Sequence, residues 1–189
     1  LVTGAKGQLG YDVVKELQKR HIECCGVDIE DFDITDYQAT AKYIMEYKPE
    51  AIIHCSAYTA VDKAEDEQEL CHKVNVIGTE NIAKCCRELD AKMIYISTDY
   101  VFPGNGDSFY EVDDITGPVN TYGMTKLAGE YVVKDFINKY FIVRISWVFC
   151  KVMPSGASAL AAFSNACSLS WLYFFCSSVI FCKFSAVSH

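Results

Sequence analysis

Basic residues are in deficit: 17 Lys and Arg stand against 25 Asp and Glu, for a formal net charge of −8 and a pI near 5.0. A surface that holds nucleic acid or an anionic membrane wants clustered Lys and Arg, so neither is expected as a partner and a small molecule is. Histidine is scarce, and His21, His54, His72 and His189 are scattered without chelating spacing. No metal is implied, and each is assigned to core or surface. There are ten cysteines but no C-x-x-C. Cys24-Cys25 and Cys85-Cys86 are adjacent pairs inside apolar segments and read as reduced core thiols. No Met, basic leader or cleavage-site pattern stands at the start, so there is no secretion signal to remove, and a cytoplasmic enzyme fits. The start also reads as clipped, because Leu1-Val2-Thr3 is only the end of a strand that should run for about 5 residues.

Acidic residues stop at Asp135, and charge of either sign is absent from 152 to 182. That run meets the length of a membrane span of about 20 residues. Many Ser residues interrupt it, with Pro154, Gly156 and Asn165 near its beginning. A C-terminal anchor, a buried continuation of the domain, and a non-native tail from out-of-frame translation near Cys150 are the three readings. The third is preferred, since the run lacks the strand alternation and helix caps of what precedes it. The expected division is a folded unit over residues 1–149 and a tail over 150–189.

What is present suffices for a real core: 189 residues, 51% of them hydrophobic. Up to about residue 150, apolar runs alternate with helix-period segments, the signature of βαβ units. Strands are expected at 1–3, 22–28, 51–56, 93–97 and 141–148. Helices are expected at 9–19 (Val13, Val14 and Leu17 on one face), 36–47 (Ala39, Tyr43, Ile44), 67–89 (Leu70, Val74, Ile77, Ile82) and 121–138. Right-handed crossovers make this an α/β fold, a doubly wound parallel sheet of the Rossmann type.

Chemistry-bearing motifs fall at strand ends. Gly4-Ala5-Lys6-Gly7-Gln8-Leu9-Gly10 follows a strand and opens a helix, where glycines let backbone N–H groups approach a pyrophosphate. An ordinary strand-to-helix turn could hold the same glycines, but strand, helix and a later acid all sit where a dinucleotide needs them. Asp28 can accept from an adenosine ribose and, with Glu30 and Asp31, disfavours a 2′-phosphate. Lys6 pulls the other way, so NADH and NADPH both stay open. Asp33 and Ile34 lie where a side chain could meet the adenine, with a solvated turn acid as the plain alternative. Ala57-Tyr58-Thr59 is placed to flank the cofactor with its backbone. Glu65-Asp66-Glu67 reads as charge bias at a helix N-terminus.

Ser97-Thr98-Asp99-Tyr100-Val101-Phe102 ends the fourth strand, and Tyr122 precedes Lys126 by one helical turn. A phenol is a poor acid near neutrality unless a cation stabilises its anion, and a Lys at i+4 is placed to do so. A chance pair on a helix face is the alternative. In the functional reading Lys126 holds the nicotinamide ribose and lowers the Tyr122 pKa, while Tyr122 gives its proton to a carbonyl oxygen as hydride arrives. Thr98 hydrogen-bonds that oxygen, and Asp99 can accept from a sugar hydroxyl. On the fifth strand Arg144 and Ser146 alternate with Ile145 and Trp147, so a residue there can face the same cleft; Trp147 either stacks on a sugar or fills core. The pattern is that of a nicotinamide-dependent carbonyl reductase.

The segments GAKGQLG (4–10), AYTAVDKAE (57–65), STDYVFPGNG (97–106), NTYGMTKLAGE (120–130) and RISWVF (144–149) together resemble the extended short-chain dehydrogenase/reductase family, and within it the dTDP-4-dehydrorhamnose reductases. The resemblance covers residues 1–149. It implies reduction of the C4 keto group of dTDP-4-dehydro-6-deoxy-L-mannose by NADPH or NADH, giving dTDP-L-rhamnose, and a homodimer in a longer parent. By motif, Tyr122 and Lys126 are the catalytic pair and Thr98 assists the oxyanion. Gly4, Gly7, Gln8, Leu9, Gly10, Asp28, Asp33, Ile34, Ala57, Tyr58, Thr59 and Ile96 line the cofactor, with Tyr122 and Lys126. Thr98, Asp99 and Trp147 fall on the substrate side. The family continues past the RISWVF strand into a smaller domain that grips the nucleotide-sugar. Nothing in 151–189 resembles that domain, so weak nucleotide binding and little or no turnover are expected of this chain alone. The same fold serves as the non-catalytic regulatory subunit of methionine adenosyltransferase and as nucleotide-sugar epimerases. Intact Tyr122, Lys126 and Thr98 favour an enzyme.

Overall fold

The computed structural model describes residues 1–105 and 110–148, together with 179–185; for 147–148 and 179–185 it describes the backbone alone. The chain-order strands are β1 (Val2–Thr3), β2 (Gly26–Val27), β3 (Ala51–His54), β4 (Lys92–Thr98), β5 (Tyr140–Val148) and β6 (Val179–Ser185). They form one sheet in the order β2-β1-β3-β4-β5-β6. The first five pair in parallel and β6 runs antiparallel to β5. Successive connections go one way from β1 to β2 and the other way from β3 onward. The order therefore reverses between β1 and β3, and the crevice beyond their carboxyl ends is where ligands enter sheets of this kind.

Helices α1 (Gln8–Lys19), α2 (Tyr37–Tyr47), α3 (Val61–Ala64), α4 (Gln68–His72), α5 (Thr79–Leu89) and α6 (Thr121–Phe136) make the connections. α2 begins where the Asp36 carboxylate accepts from the Gln38 and Ala39 N–H groups, and it stops at Lys48, whose φ of 52° is left-handed. Such caps satisfy donors that a helix start leaves unpaired. Among the described residues, no helix is long and apolar enough to cross a membrane.

Two apolar clusters clasp the sheet. The larger joins Ile44 of α2, Ile52 of β3, Ile82 of α5, Met93 and Tyr95 of β4, and Val133 of α6, all fully buried. The smaller sets Val13 of α1, with Leu9, Val14 and Leu17, against Val2 and Ile53. Each fully buried aliphatic side chain of this kind stabilises the fold by about 1.5–3 kcal/mol.

Three elements differ from their sequence expectation. β2 is two residues long, where 22–28 is expected; His21 before it has a φ of 56°, and the chain from 22 to 25 is irregular. The helix expected over 67–89 is continuous from Gln68, but Lys73–Gly78 winds as a π-helix. A wide turn carries an extra residue and rotates what precedes it. Cys71 takes the inward position, and Leu70, expected on the core face, is 48% exposed. α6 ends at Phe136, where Ile137 turns extended. β6 adds a strand inside the segment read as tail. The remaining tail expectations and the division at 149/150 rest largely on residues outside the described ones, as does His189.

Candidate active site

The glycine turn is built so that only glycine fits. Gly4 sits at φ 67°, and a Cβ there would lie 2.8 Å from the Ser56 nitrogen; at Gly10 it would lie 2.1 Å from the Gly4 carbonyl oxygen. Helix α1 thus starts tight against β1 and β3. Its N-cap, Gly7, offers no side-chain acceptor, so the helix start faces the crevice with main-chain N–H groups. Asp28 directly follows β2 and clamps this turn, its carboxylate accepting from Lys6 N at 2.7 Å and Ile29 N at 2.9 Å. The Lys6 ammonium pairs with Glu30 at 2.7 Å on the surface.

A cavity of about 530 Å³ runs from this turn to the carboxyl ends of β4 and β5. It is lined by Gly4, Gly7, Gln8, Leu9, Gly10, Asp28, Asp33, Ile34, Ala57, Thr59, Ile96, Tyr122 and Lys126, all singled out from sequence. Ile34 reaches it because Gly78 lets α5 approach: a Cβ there would meet Ile34 Cδ1 at 2.7 Å. Asn81 also donates to the Ile34 carbonyl at 2.9 Å. Asp33 accepts from Thr35 N at 2.8 Å, the turn geometry named as its plain alternative. Ile145 is the residue of β5 that lines the cavity. Tyr58, Thr98 and Asp99 are not in the lining, and the Trp147 side chain lies outside what is described.

Tyr58 stands aside for a definite reason. Its N–H donates to Asn75 Oδ1 at 2.8 Å and its carbonyl accepts from Asn75 Nδ2 at 3.1 Å, so Asn75 occupies the main-chain groups expected to flank a cofactor. Asn75 also donates to Thr125 Oγ1 at 3.1 Å. One buried amide therefore ties the loop after β3 to α6. Sequence reading missed it; a lone Asn inside an apolar helical run was the available signal. The Tyr58 hydroxyl donates to Glu67 at 2.7 Å. Glu65 accepts from both Thr121 N and Thr121 Oγ1, at 2.8 and 3.0 Å. The acidic run thus pins the Tyr58 loop and the start of α6, which corrects its reading as charge bias alone.

At the reacting end, the Thr98 hydroxyl donates to Asp99 Oδ1 at 3.1 Å, and Ser146 Oγ donates to Asp99 Oδ2 at 2.7 Å. α6 begins at Asn120, whose side chain accepts from Gly123 N at 2.7 Å. A Cβ on Gly123 would lie 2.3 Å from the Tyr100 carbonyl, so glycine is what allows the helix start to approach this corner. The Tyr100 ring meets the Tyr122 ring edge-on at 5.7 Å.

The charges of the pair differ from expectation. Burial pushes the Tyr122 phenol up to about 12; hydrogen bonding with Thr98 pulls it down and the Asp99 carboxylate pushes it further up. Lys126, expected to lower it, is itself brought down to about 7 by burial, with Glu130 opposing. A lysine whose charged form burial disfavours stabilises a phenolate less than a solvated one would. Lys126 Nζ lies 4.2 Å over the Tyr95 ring. Beneath it, the buried Glu130 carboxylate accepts from Ser97 Oγ at 2.6 Å and from both arms of Arg144 at 2.8 and 2.7 Å. This network was not read from sequence.

Of the histidines, His54 is core: Thr3 Oγ1 and Thr79 Oγ1 bracket its ring at 2.8 and 3.2 Å, while His21 and His72 are exposed. Cys24, Cys25, Cys55, Cys71, Cys85 and Cys86 are free thiols.

A glycine cradle at a helix start, an acid at the end of the second strand and a Tyr–Lys pair share one cavity, an arrangement that fits a dinucleotide lying across the sheet's carboxyl edge. The chain matches, over residues 1–166, the family described as the RmlD substrate binding domain. It is 43% identical over 150 residues to dTDP-4-dehydrorhamnose reductase of Mycolicibacterium smegmatis, covering 79% of this chain and 45% of that protein. The crystal structure of dTDP-4-dehydrorhamnose reductase from Bacillus anthracis in complex with NADP superimposes with a TM-score of 0.77 at 43% identity, over 80% of this chain and 54% of that one. The Clostridium acetobutylicum counterpart gives 0.77 at 41% identity, with the same coverage. The chain spans about half the length of these relatives. With motif, cavity and sheet order all in agreement, it belongs to the RmlD substrate binding domain family.

Proposed function

We propose that this chain supplies the cofactor-binding and proton-donating part of a dTDP-4-dehydrorhamnose reductase, which reduces the C4 keto group of dTDP-4-dehydro-6-deoxy-L-mannose to give dTDP-L-rhamnose. The observation that carries the reading is the single cavity joining the glycine turn and Asp28 to Tyr122 and Lys126. Bound NADPH or NADH would supply the hydride. The α1 start and the glycine backbone would hold its pyrophosphate, Asp28 would meet the adenosine ribose, and Lys126 would meet the nicotinamide ribose. Tyr122, fully protonated near neutral pH with a pKa of about 12, gives its hydroxyl proton to the C4 oxygen. Thr98 hydrogen-bonds that oxygen, and Lys126, in its charged form, stabilises the phenolate left behind. Asp99 and Trp147 are assigned to the sugar side. A cytoplasmic location, a homodimer in a longer parent, the absence of nucleic-acid partners and the division at 149/150 belong to the same reading.

The test is NADPH oxidation with the 4-keto sugar, followed at 340 nm by absorbance on the protein that carries this chain. Tyr122→Phe is expected to lower kcat by about 10²- to 10⁴-fold while NADPH affinity is retained. Unchanged turnover in that variant would overturn the catalytic assignment.

A further inference from the structure

Lys126 is buried, 3% exposed, and an ammonium drawn that far out of water needs something to replace its hydration. Under its Nζ lies the face of the Tyr95 ring, 4.2 Å away at the centroid. The negative face of an aromatic ring attracts a cation within about 6 Å, and more strongly where both are desolvated, as here. Tyr95 is fully buried on β4. The titratable groups around the pair are Tyr122 and Glu130 on α6, His54 on β3, Cys55 just after β3 and Cys71 on α4. The Glu130 oxygens are already engaged, by Ser97 Oγ at 2.6 Å and by Arg144 at 2.8 and 2.7 Å. His54 stacks on Tyr95 with centroids 5.9 Å apart and, kept uncharged by burial, brings no competing cation near neutral pH.

Helix α6 is shaped to admit this ring. A Cβ at Gly129 would lie 2.2 Å from the Tyr95 hydroxyl oxygen and 2.9 Å from Cζ, so a residue with a side chain there would push the tyrosine out of its place. The hydroxyl then donates to the Lys126 carbonyl at 3.3 Å. Tyr95 thus holds Lys126 twice, by its main chain and by its ammonium, and docks α6 on β4 at the residue whose side chain enters the cavity that Tyr122 also lines.

We propose that Tyr95 is a positioning residue whose ring face seats the Lys126 ammonium and holds it, as a cation, in the cavity. What Lys126 does with that charge rests on the reading under Proposed function; the seat itself does not. Tyr95→Phe keeps the face and loses the hydroxyl, while Tyr95→Leu keeps an apolar side chain and loses the face. A trifluorophenylalanine at that position keeps the ring's shape and drains electron density from its face. If Tyr95 only filled space, Tyr95→Leu would loosen the site, admit water and move the Lys126 pKa up toward the ordinary lysine value, and fluorination would change nothing. A seat for the cation gives the opposite sign, since loss of the face or of its electron density lowers that pKa.

The experiment is a pH titration of the protein with ¹³Cε-labelled lysine, without cofactor, followed by NMR, with the Lys126 signal assigned by its loss in Lys126→Met. The midpoint is expected near 7 in the parent and close to that in Tyr95→Phe. It should fall by about one pH unit in Tyr95→Leu and with the fluorinated ring. If Tyr95→Leu does not fold, the comparison of the plain and fluorinated rings decides alone. Equal midpoints for those two rings, or a rise in Tyr95→Leu, would overturn the proposal. Because no nucleotide is present, failure here is distinct from failure to bind NADPH, which would count against the cofactor reading instead.

Discussion

Two buried bases, His54 and Lys126, show how much a single residue's surroundings decide. His54 is bracketed by two threonine hydroxyls, and burial, with the Lys126 charge adding to it, holds its pKa down at about 3. The unfolded chain takes up this proton below about pH 6.5, while the folded chain resists until about pH 3. The unfolded state thus binds more protons across that window, and stability falls as pH falls. Urea unfolding is expected to show a loss of about 2 kcal/mol between pH 6.5 and pH 5, before the carboxylates titrate. A flat profile there would mean that the ring protonates in the folded state. At this scale the glycines were readable from sequence, because the left-handed φ at Gly4 and the missing Cβ at Gly10 are properties of the residue itself. Asn75 and Glu130 were not. A polar side chain in an apolar helical run shows its role only once its neighbours in space are known.

Among the elements, α6 matters most, since it carries Tyr122, Lys126 and Glu130 on one helix. Its first turn is held from two sides, by Asn120 onto Gly123 N and by Glu65 onto Thr121 N. Asn120→Ala should cost about 1 kcal/mol in chemical denaturation, the usual price of losing an N-cap. No loss would mean that Glu65 alone holds the helix start. The helix itself was legible from its period, and so were α1 and α2. The π-helical turn was not, because the apolar spacing across 67–89 reads as one regular helix; an extra residue in a turn leaves no mark in composition. β2 shrank for a related reason: the apolar content of 22–28 suggested a strand, but the register with β1 covers Gly26 and Val27, with Cys25 adding one bond as its carbonyl accepts from Val2 N at 2.8 Å.

For the whole molecule, the alternation of apolar runs and helical segments was enough to specify a parallel, doubly wound sheet, and the reversal between β1 and β3 follows from the crossovers. That reversal is what brings residues as far apart as Gly4, Asp28, Thr59 and Lys126 to one cavity. The antiparallel strand Val179–Ser185 at the β5 edge falls in the segment preferred as a tail, where a buried continuation of the domain was the lesser reading, since the largely uncharged stretch before it lacks the strand alternation that marks the earlier strands. The central claim is that this cavity is the dinucleotide site. Titrating the ¹⁵N-labelled protein with NADPH tests it most directly, by the amide shifts that saturate. The account predicts that these cluster at residues 4–10, Asp28, 57–59, Tyr122 and Lys126. Saturable shifts confined to another face, or none at millimolar NADPH, would contradict it.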